Sequence, residues 1–486
     1  MSKPLSDPSA ARSVDVRTLL VSGGLLLLLG LQAALTLWVN DWLFVGLGLG
    51  LFAAVVSLVH QRNLWYLGIF TFPLSINLEQ YIENSIGISV PSDLLAIGLL
   101  LLLLLSLRRH LTAWGHALSH PLSRAVLLWL TWMLFTGFTS AQPVVSFKYF
   151  LSALWFAGAF YFGSLLFLRR EAEIDRWLVL LIPSLVFVAL FTVVKHAAEG
   201  FSFRSSFTIM QPFYKEHTAY AASLAIPFVL YWRLWLRGDG LGRRGRALLA
   251  VAAAGLAAAL VFSFTRGAWI GCVAAVGFFG LVELWRRWRP GFWGLCVLAV
   301  LGVGVLLQFN WSPKPQGDKR KGHEEHLKSV VDTESDLSNL ERINRWVAAF
   351  NMVAERPLFG FGPGAYTFEY ARFQESSFRT SVSTNQGKFG SAHSEYLLAA
   401  TEQGLPGLLV LLLLYGTSLW VAVRGYLRAA TRRHRSLYIA LGCALVSYYV
   451  HGLVNNFMDQ EKLAIPLHLC FATLTALDIY HARRSS

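Results

Sequence analysis

The sequence predicts an all-α polytopic membrane protein. Of its 486 residues, 55% are hydrophobic and only 14% are charged, whereas soluble domains carry about 25% charged residues. Apolar runs of about 20 residues, the length that crosses a bilayer as a helix, recur along most of the chain. The alternating runs of about 10 residues that are typical of membrane β-barrels are not found. Because backbone groups in lipid must be hydrogen-bonded within their own segment, we expect these runs to be helices.

The apolar runs give 12–14 transmembrane helices, since several of the candidates are short. The candidate spans are Leu19–Trp38, Trp42–Val59, Leu64–Leu78, Asp93–Leu107, Ala125–Phe138, Phe147–Leu168, Trp177–Val194, His217–Leu236, Ala247–Phe264, Ala268–Trp285, Phe292–Phe309, Leu405–Leu427, Leu437–Val454 and Leu463–Tyr480.

Arginine clusters mark alternate loops between these spans. They are Arg108–Arg109, Arg169–Arg170, Arg237 with Arg243–Arg244 and Arg246, Arg286–Arg287 with Arg289, Arg432–Arg433 with Arg435, and Arg483–Arg484. The positive-inside rule places these loops and both termini in the cytoplasm of a bacterial inner membrane protein. One cluster per loop accounts for most of the net charge of +14. This spacing disfavours nucleic acid as a partner.

Only one of the opposite, periplasmic loops is long. We therefore divide the chain into an N-terminal transmembrane bundle (1–309), a long, partly helical periplasmic loop (310–404) and C-terminal transmembrane helices (405–486). The loop contains His323-Glu324-Glu325-His326, which departs from the HExxH spacing of zinc enzymes and has no evident third ligand. A solvated charge run is the favoured interpretation, and we predict neither a metal site nor a cofactor.

An amphipathic helix is predicted next in the loop. Ser338 and Glu341 have the S-x-x-E spacing of a capping box, and Pro357 is expected to end the helix. The apolar face is predicted to contain Leu340, Ile343, Val347, Phe350 and Ala354. After Pro357, three glycines in five residues (Gly360, Gly362, Gly364) indicate a tight turn in close contact with another part of the chain.

His393 is the candidate general base. It lies just before a predicted helix at the water–membrane boundary, where a neutral imidazole could take a proton near neutral pH. The other interpretation is an ordinary hydrogen-bonded surface histidine.

Positively charged residues on the periplasmic side are not explained by membrane orientation. Arg266 lies between two apolar runs with almost no loop around it, where an unpaired guanidinium is costly unless it reaches the interface. Further basic residues near periplasmic helix ends are Lys148, Lys195, Arg204, Lys215 and His217. Each alone could be an ordinary surface charge. Together they suggest a cationic pocket for a lipid-linked diphosphate, since arginine binds phosphate oxygens bidentately.

These motifs resemble a known family. His393-Ser394, nine residues and Gly404-x-x-Gly407 match the H-[NSQ]-x9-G-x-x-G pattern of O-antigen ligases. The turn from Pro357 to Gly364 and the tripeptide Thr265-Arg266-Gly267 resemble elements of the wider ligase and polymerase superfamily, and Arg204 resembles its loop arginine.

The resemblance implies a metal-independent, inverting glycosyltransferase with a GT-C-like fold. Its donor would be O-antigen linked to undecaprenyl diphosphate, and its acceptor a sugar hydroxyl of lipid A–core, on the periplasmic face of the membrane. It implies that His393 is the base and that Arg266 and Arg204 hold the diphosphate. We further assign diphosphate or glycan contacts to seven residues: Lys148, Lys195, Lys215, His217, Gly362, Tyr366 and Tyr396.

Three alternatives remain open at this point. An O-antigen polymerase would use the same kind of donor but extend another lipid-linked chain, and a pilin oligosaccharyltransferase would glycosylate a protein. A glycan transporter or flippase would form no glycosidic bond. Transporters commonly contain repeated halves and charges at the membrane midplane, and the sequence suggests neither.

Overall fold

The computed structural model describes residues 61–78, 87–106, 111–202, 204–237, 242–295, 297–298, 326–376 and 390–481. The predicted spans Leu19–Trp38 and Trp42–Val59, most of Phe292–Phe309 and the residues His323 to Glu325 lie outside these ranges. Within the ranges, the only strands are β1 (Ile76–Asn77) and β2 (Ser89–Val90), which pair antiparallel.

The helices follow one another along the chain with short connections. They are α1 (Gln61–Thr71), α2 (Ser92–Leu105), α3 (Leu111–Ser119), α4 (Pro121–Phe138), α5 (Pro143–Phe156), α6 (Gly163–Phe167), α7 (Glu171–Ala198), α8 (His217–Arg237), α9 (Arg243–Phe262), α10 (Arg266–Arg287), α11 (His326–Glu355), α12 (Tyr366–Glu369), α13 (Glu395–Arg428), α14 (Arg432–His451) and α15 (Glu461–Ala476). A π-helical segment (Ala157–Phe162) joins α5 to α6, and another (Leu477–His481) extends α15.

Eight stretches of the described helices are long and apolar enough to cross a membrane. They are Pro121–Phe138, Pro143–Phe167, Glu171–Ala198, His217–Leu236, Arg243–Phe262, Arg266–Arg287, Glu395–Arg428 and Glu461–His481. The predicted all-α polytopic fold is therefore confirmed, and the total of 12–14 spans stays a prediction. The stretch Glu461–His481 is almost entirely buried, whereas most of α10 is exposed. Hence α15 is central in the bundle and α10 lies at its edge.

Two predicted elements differ in the structure. The predicted span Leu64–Leu78 is helical only to Thr71, because the chain continues through a 3₁₀ turn containing Pro73 and then enters β1. The loop helix does not begin at the capping box around Ser338: α11 already begins at His326 and runs past it.

The arginine-rich helix ends lie together at one end of the bundle. Arg433 at the start of α14 is 2.7 Å from the carboxylate of Asp175 in α7. Next to it, the Nε2 of His434 is 2.7 Å from the Oε1 of Glu171. The predicted periplasmic loops therefore share the opposite end, where the candidate site residues are found.

The long loop has a small core of its own. Ala348, Ala349 and Met352 of α11 are fully buried against Tyr366 and Tyr370, whose rings stack with centroids 5.2 Å apart. This core lies over the beginning of α13, since Leu398 belongs to the same cluster. The loop helix is thereby fixed above the point where α13 begins.

Candidate active site

His393 is held in an unusual backbone conformation immediately before α13. Its φ angle is +46°, in the left-handed region that few non-glycine residues adopt. The next residue, Ser394, is the N-cap of α13, and its hydroxyl oxygen accepts a hydrogen bond from the N–H of Leu397. The turn and the cap together fix where the imidazole of His393 stands relative to the helix.

An arginine of the loop helix contacts His393 directly. The Nη1 of Arg345 lies 2.7 Å from the Nε2 of His393 and 3.4 Å from the carbonyl oxygen of Ser391. The Nε of the same guanidinium donates to the carboxylate of Glu341, one turn earlier in α11, over 2.9 Å. The polar side of α11 is thus turned inward to the site.

This orientation of α11 contradicts the predicted apolar face. Phe350, predicted to be packed inward, is 60% exposed, whereas Glu341 and Asn344 are buried. The reason is that the inward side carries the residues that bond to His393 and to the turn after α12, so polar pairing decides the orientation. Sequence analysis missed Arg345 for this reason, although the i, i+4 spacing of Glu341 and Arg345 is the signature of a helical ion pair.

The surroundings of His393 favour its neutral form. Burial, followed by the positive charges of Arg345 and Arg342, lowers the pKa of His393 to about 4, and Asn455 beside the ring opposes part of this effect. At neutral pH the imidazole is therefore uncharged, which is the protonation state that a general base requires.

The segment after α14 closes the site from another side. The backbone N–H of Glu395 lies 2.9 Å from the carbonyl oxygen of Gly452 and 3.1 Å from that of Asn455. The buried carboxylate of Glu395 accepts hydrogen bonds from the N–H groups of Phe457 and Met458, over 2.6 and 2.8 Å. These bonds hold Asn455 next to His393, 62 residues away in sequence.

The beginning of α10 meets the same segment. A Cβ added to Gly267 would lie 3.1 Å from the Cγ2 of Val454 and 3.7 Å from the Nδ2 of Asn455. Arg266, the first residue of α10, is exposed at this edge. The hydroxyl of Thr265, one residue earlier, lies 3.5 Å from the carbonyl oxygen of His217, so the first turns of α8 and α10 are neighbours.

Arg342 connects these parts electrostatically. Its positive charge acts on His217, His393 and His451, which come from three different elements. Arg342 is itself half-buried, and burial together with the charge of Arg345 lowers its pKa. The sequence analysis did not identify Arg342 either.

Arg204 and the predicted lysines lie further from His393 along the same end. Arg204 is exposed at the start of a 3₁₀ turn that ends in Phe207, whose ring centroid is 4.4 Å from that of His217. Lys148 and Lys215 are also exposed, and the Nζ of Lys195 lies 3.5 Å from the carbonyl oxygen of Gln211.

The glycine turn packs the loop onto the bundle. Gly362, at φ +104°, donates its N–H to the carbonyl oxygen of Glu402 over 2.7 Å, and a Cβ added to it would stand 2.0 Å from the hydroxyl of Ser140. Tyr366 donates its hydroxyl to the carbonyl oxygen of Arg345 over 2.9 Å. Tyr396 donates its hydroxyl to the carbonyl oxygen of Tyr449 over 2.8 Å. The structure gives these predicted glycan contacts intramolecular partners, and their contact with a glycan stays a prediction.

Fold and site together define a polytopic α-helical membrane protein in which a neutral histidine is surrounded by arginines at one end of the bundle. Residues 250–412 match the family model described as O-Antigen ligase, a stretch that includes Arg266, the glycine turn, Arg345 and His393. The match confirms the predicted family for this region, which is of the O-antigen ligase type. An uncharacterized protein of Haemophilus influenzae is 26% identical over 164 residues, which is 33% of this chain and 40% of the relative's length.

Proposed function

We propose that the protein is an O-antigen ligase that transfers a glycan from a polyprenyl diphosphate, of the undecaprenyl type, to a sugar hydroxyl of lipid A–core. The observation that carries this proposal is His393, neutral at physiological pH and held in a fixed orientation among Arg345, Arg342 and the Arg266 end of α10. A hydroxyl nucleophile needs a base, and a diphosphate leaving group needs cations. Both requirements are met by residues at the same end of the bundle.

The proposed reaction is a single displacement. His393 removes the proton of the acceptor hydroxyl, and the oxygen attacks the anomeric carbon of the donor sugar. The bond from that carbon to the diphosphate oxygen breaks, so the configuration is inverted and the polyprenyl diphosphate leaves. Arg266 and Arg204 are exposed and at the same end, which suits them to hold the diphosphate as its negative charge grows.

The chain's orientation in the membrane follows from this proposal. The arginine-rich ends would face the cytoplasm, and the site around His393 would face the periplasm, where lipid-linked glycans and lipid A–core are both present. The GT-C-like architecture and the three-part organisation with boundaries at 309 and 404 belong to the same proposal.

The test is transfer by the purified protein in detergent from undecaprenyl-diphosphate glycan to lipid A–core. We expect a ladder of glycosylated lipopolysaccharide that the His393→Asn variant does not produce. Products that are only longer lipid-linked chains would instead identify a polymerase. Failure to form a glycosidic bond with lipid A–core, with lipid-linked chains or with a pilin peptide would contradict the proposal and favour a transporter.

A further inference from the structure

The contact between Arg345 and His393 has a chemical consequence for the base. A guanidinium has only N–H donors, so in the 2.7 Å contact the Nε2 of His393 must be the acceptor. A neutral imidazole with an accepting Nε2 carries its proton on Nδ1. One nitrogen is then occupied by Arg345 and the other already bears a proton. In this arrangement His393 has no free lone pair and cannot remove a proton from an acceptor.

The guanidinium of Arg345 can move while its backbone stays fixed. The carbonyl of Arg345 accepts the hydroxyl of Tyr366, and its position within α11 holds the backbone in place. The side chain is bound only at its tip, to Glu341 through Nε and to His393 and Ser391 through Nη1. A change of rotamer at the end of the side chain is therefore enough to free His393.

The local charges favour an anion at this point. Arg342 and Arg345 are near enough for each to feel the other's charge, and Glu341, paired with Arg345, is the carboxylate recorded close to them among the described residues. The groups facing the ring from the remaining elements are Asn455 and His451, which bring no negative charge. Charge-assisted hydrogen bonds to phosphate are roughly twice as strong as bonds between neutral partners. A phosphate oxygen is thus a better acceptor for Arg345 than the neutral imidazole is.

We propose that Arg345 is a positioning residue that masks His393 until the donor's diphosphate draws the guanidinium away. This inference rests on the proposed function, because it takes the diphosphate of the donor as the competing anion. Donor binding then precedes activation of the acceptor. The base has a free Nε2 only when an activated sugar is present.

The test measures the reactivity of the lone pair directly. Diethyl pyrocarbonate modifies a histidine nitrogen only when its lone pair is free, and peptide mass spectrometry reports the modified fraction of His393 at pH 7. The full-length protein in detergent is labelled with and without undecaprenyl diphosphate. We expect this lipid to increase the labelling rate of His393 severalfold, whereas an ordinary ligand would protect the residue.

Two variants complete the experiment. In Arg345→Met and Arg345→Gln, we expect His393 to be labelled rapidly without the lipid and to show no further increase with it. His434, paired with Glu171 at the other end of the bundle, is the internal control and should react equally in all samples. Equal His434 labelling in the variants also shows that they remain folded.

Binding of undecaprenyl diphosphate is measured on the same samples by thermophoresis, to separate two kinds of failure. If the lipid binds and His393 is protected or unchanged, the masking role of Arg345 is overturned and the ligase proposal stands. If the lipid does not bind at all, the proposed function fails, and the masking proposal fails with it.

Discussion

The Cα of Gly404 lies against the backbone carbonyl of Leu358, so that a Cβ added to Gly404 would stand 2.3 Å from that oxygen. Gly404 has φ +73° and ψ 177°, a conformation that is essentially restricted to glycine, and it makes a kink within α13. The N–H of Leu405 donates to the carbonyl oxygen of Pro357 over 2.7 Å at the same point. The kink in α13 is therefore the seat on which the glycine turn of the long loop rests.

Gly404→Ala is expected to destabilise the protein. The backbone strain alone costs roughly 1–3 kcal/mol, and the overlap with Leu358 adds to it. The melting temperature of detergent-solubilised protein, followed by fluorescence size exclusion, measures the effect. The matched control is Gly416→Ala in the same helix, where a Cβ meets nothing within 4 Å and alanine is favoured by about 1 kcal/mol. Equal melting temperatures for the two variants would contradict the role assigned to Gly404.

His393→Asn is expected to abolish most transfer and leave the fold intact. Asparagine tolerates the left-handed conformation at φ +46°, but it has no basic nitrogen. Loss of a general base costs about 10²–10⁴ in rate. Initial rates of glycan transfer give the effect, and an unchanged elution profile shows that the variant is folded. Transfer at the wild-type rate would eliminate His393 as the base.

Arg266→Gln is expected to weaken the use of the donor. Arg266 is exposed, so its replacement should not disturb packing. A hydrogen bond to a charged group contributes about 1.5–3 kcal/mol, which corresponds to roughly a 10- to 150-fold loss in kcat/KM for the donor. Arg287→Gln, at the opposite end of α10, removes the same charge from a residue paired with Glu283 and is the control. Similar losses for both variants would argue against a diphosphate site at Arg266.

The acid limb of the pH profile should lie unusually low. The pKa of His393 in the folded protein is about 4, below the ordinary value of 6.5, so the neutral form persists as the pH falls through that window. Because kcat/KM reports the free enzyme, it should stay level to about pH 5 and be half-maximal near pH 4. Arg345→Met removes a positive charge from beside the ring and should move this limb upward. The same difference in proton binding lowers the stability of the protein as the pH falls from 6.5 to 4.

The two simplest replacements of Glu395 should differ in their effect. Its Oε1 accepts the N–H groups of Phe457 and Met458 and the hydroxyl of Tyr448. Glu395→Ala leaves these three donors without an acceptor, at about 1–3 kcal/mol for each, whereas the carbonyl oxygen of Glu395→Gln can still accept. We expect Glu395→Ala to be unfolded or poorly expressed and Glu395→Gln to be isolated in a folded state. An equally stable alanine variant would show that the segment after α14 is held by other contacts.

The fold class could be predicted from sequence because lipid imposes a simple rule. A chain that crosses it needs long apolar helices, and runs such as Glu171–Ala198 show this without any tertiary information. Where the bilayer does not set the pattern, prediction was weaker. The beginning of α11 was wrong, and the chain after Thr71 leaves its helix early.

The site was predicted only in part, for a related reason. His393 and Arg266 belong to short motifs that can be recognised locally. Arg345 and Arg342 could not be found in this way, because α11 turns its polar side inward and an apolar stripe was taken as its buried face. The position of Asn455 beside His393 depends on hydrogen bonds to Glu395 that join distant parts of the chain. No local pattern encodes such a contact.

The dependence of the site on residues 452–458 also sets when the protein can first work. A ribosome releases Arg266 and His393 into the membrane well before it has synthesised this segment, so a growing chain has the reactive groups but not the framework that aligns them. The framework forms only after α14 has been threaded into the bilayer and the carboxylate of Glu395 has captured Phe457 and Met458. A partly synthesised chain is therefore unable to consume donor lipid, and activity begins only near the completion of synthesis.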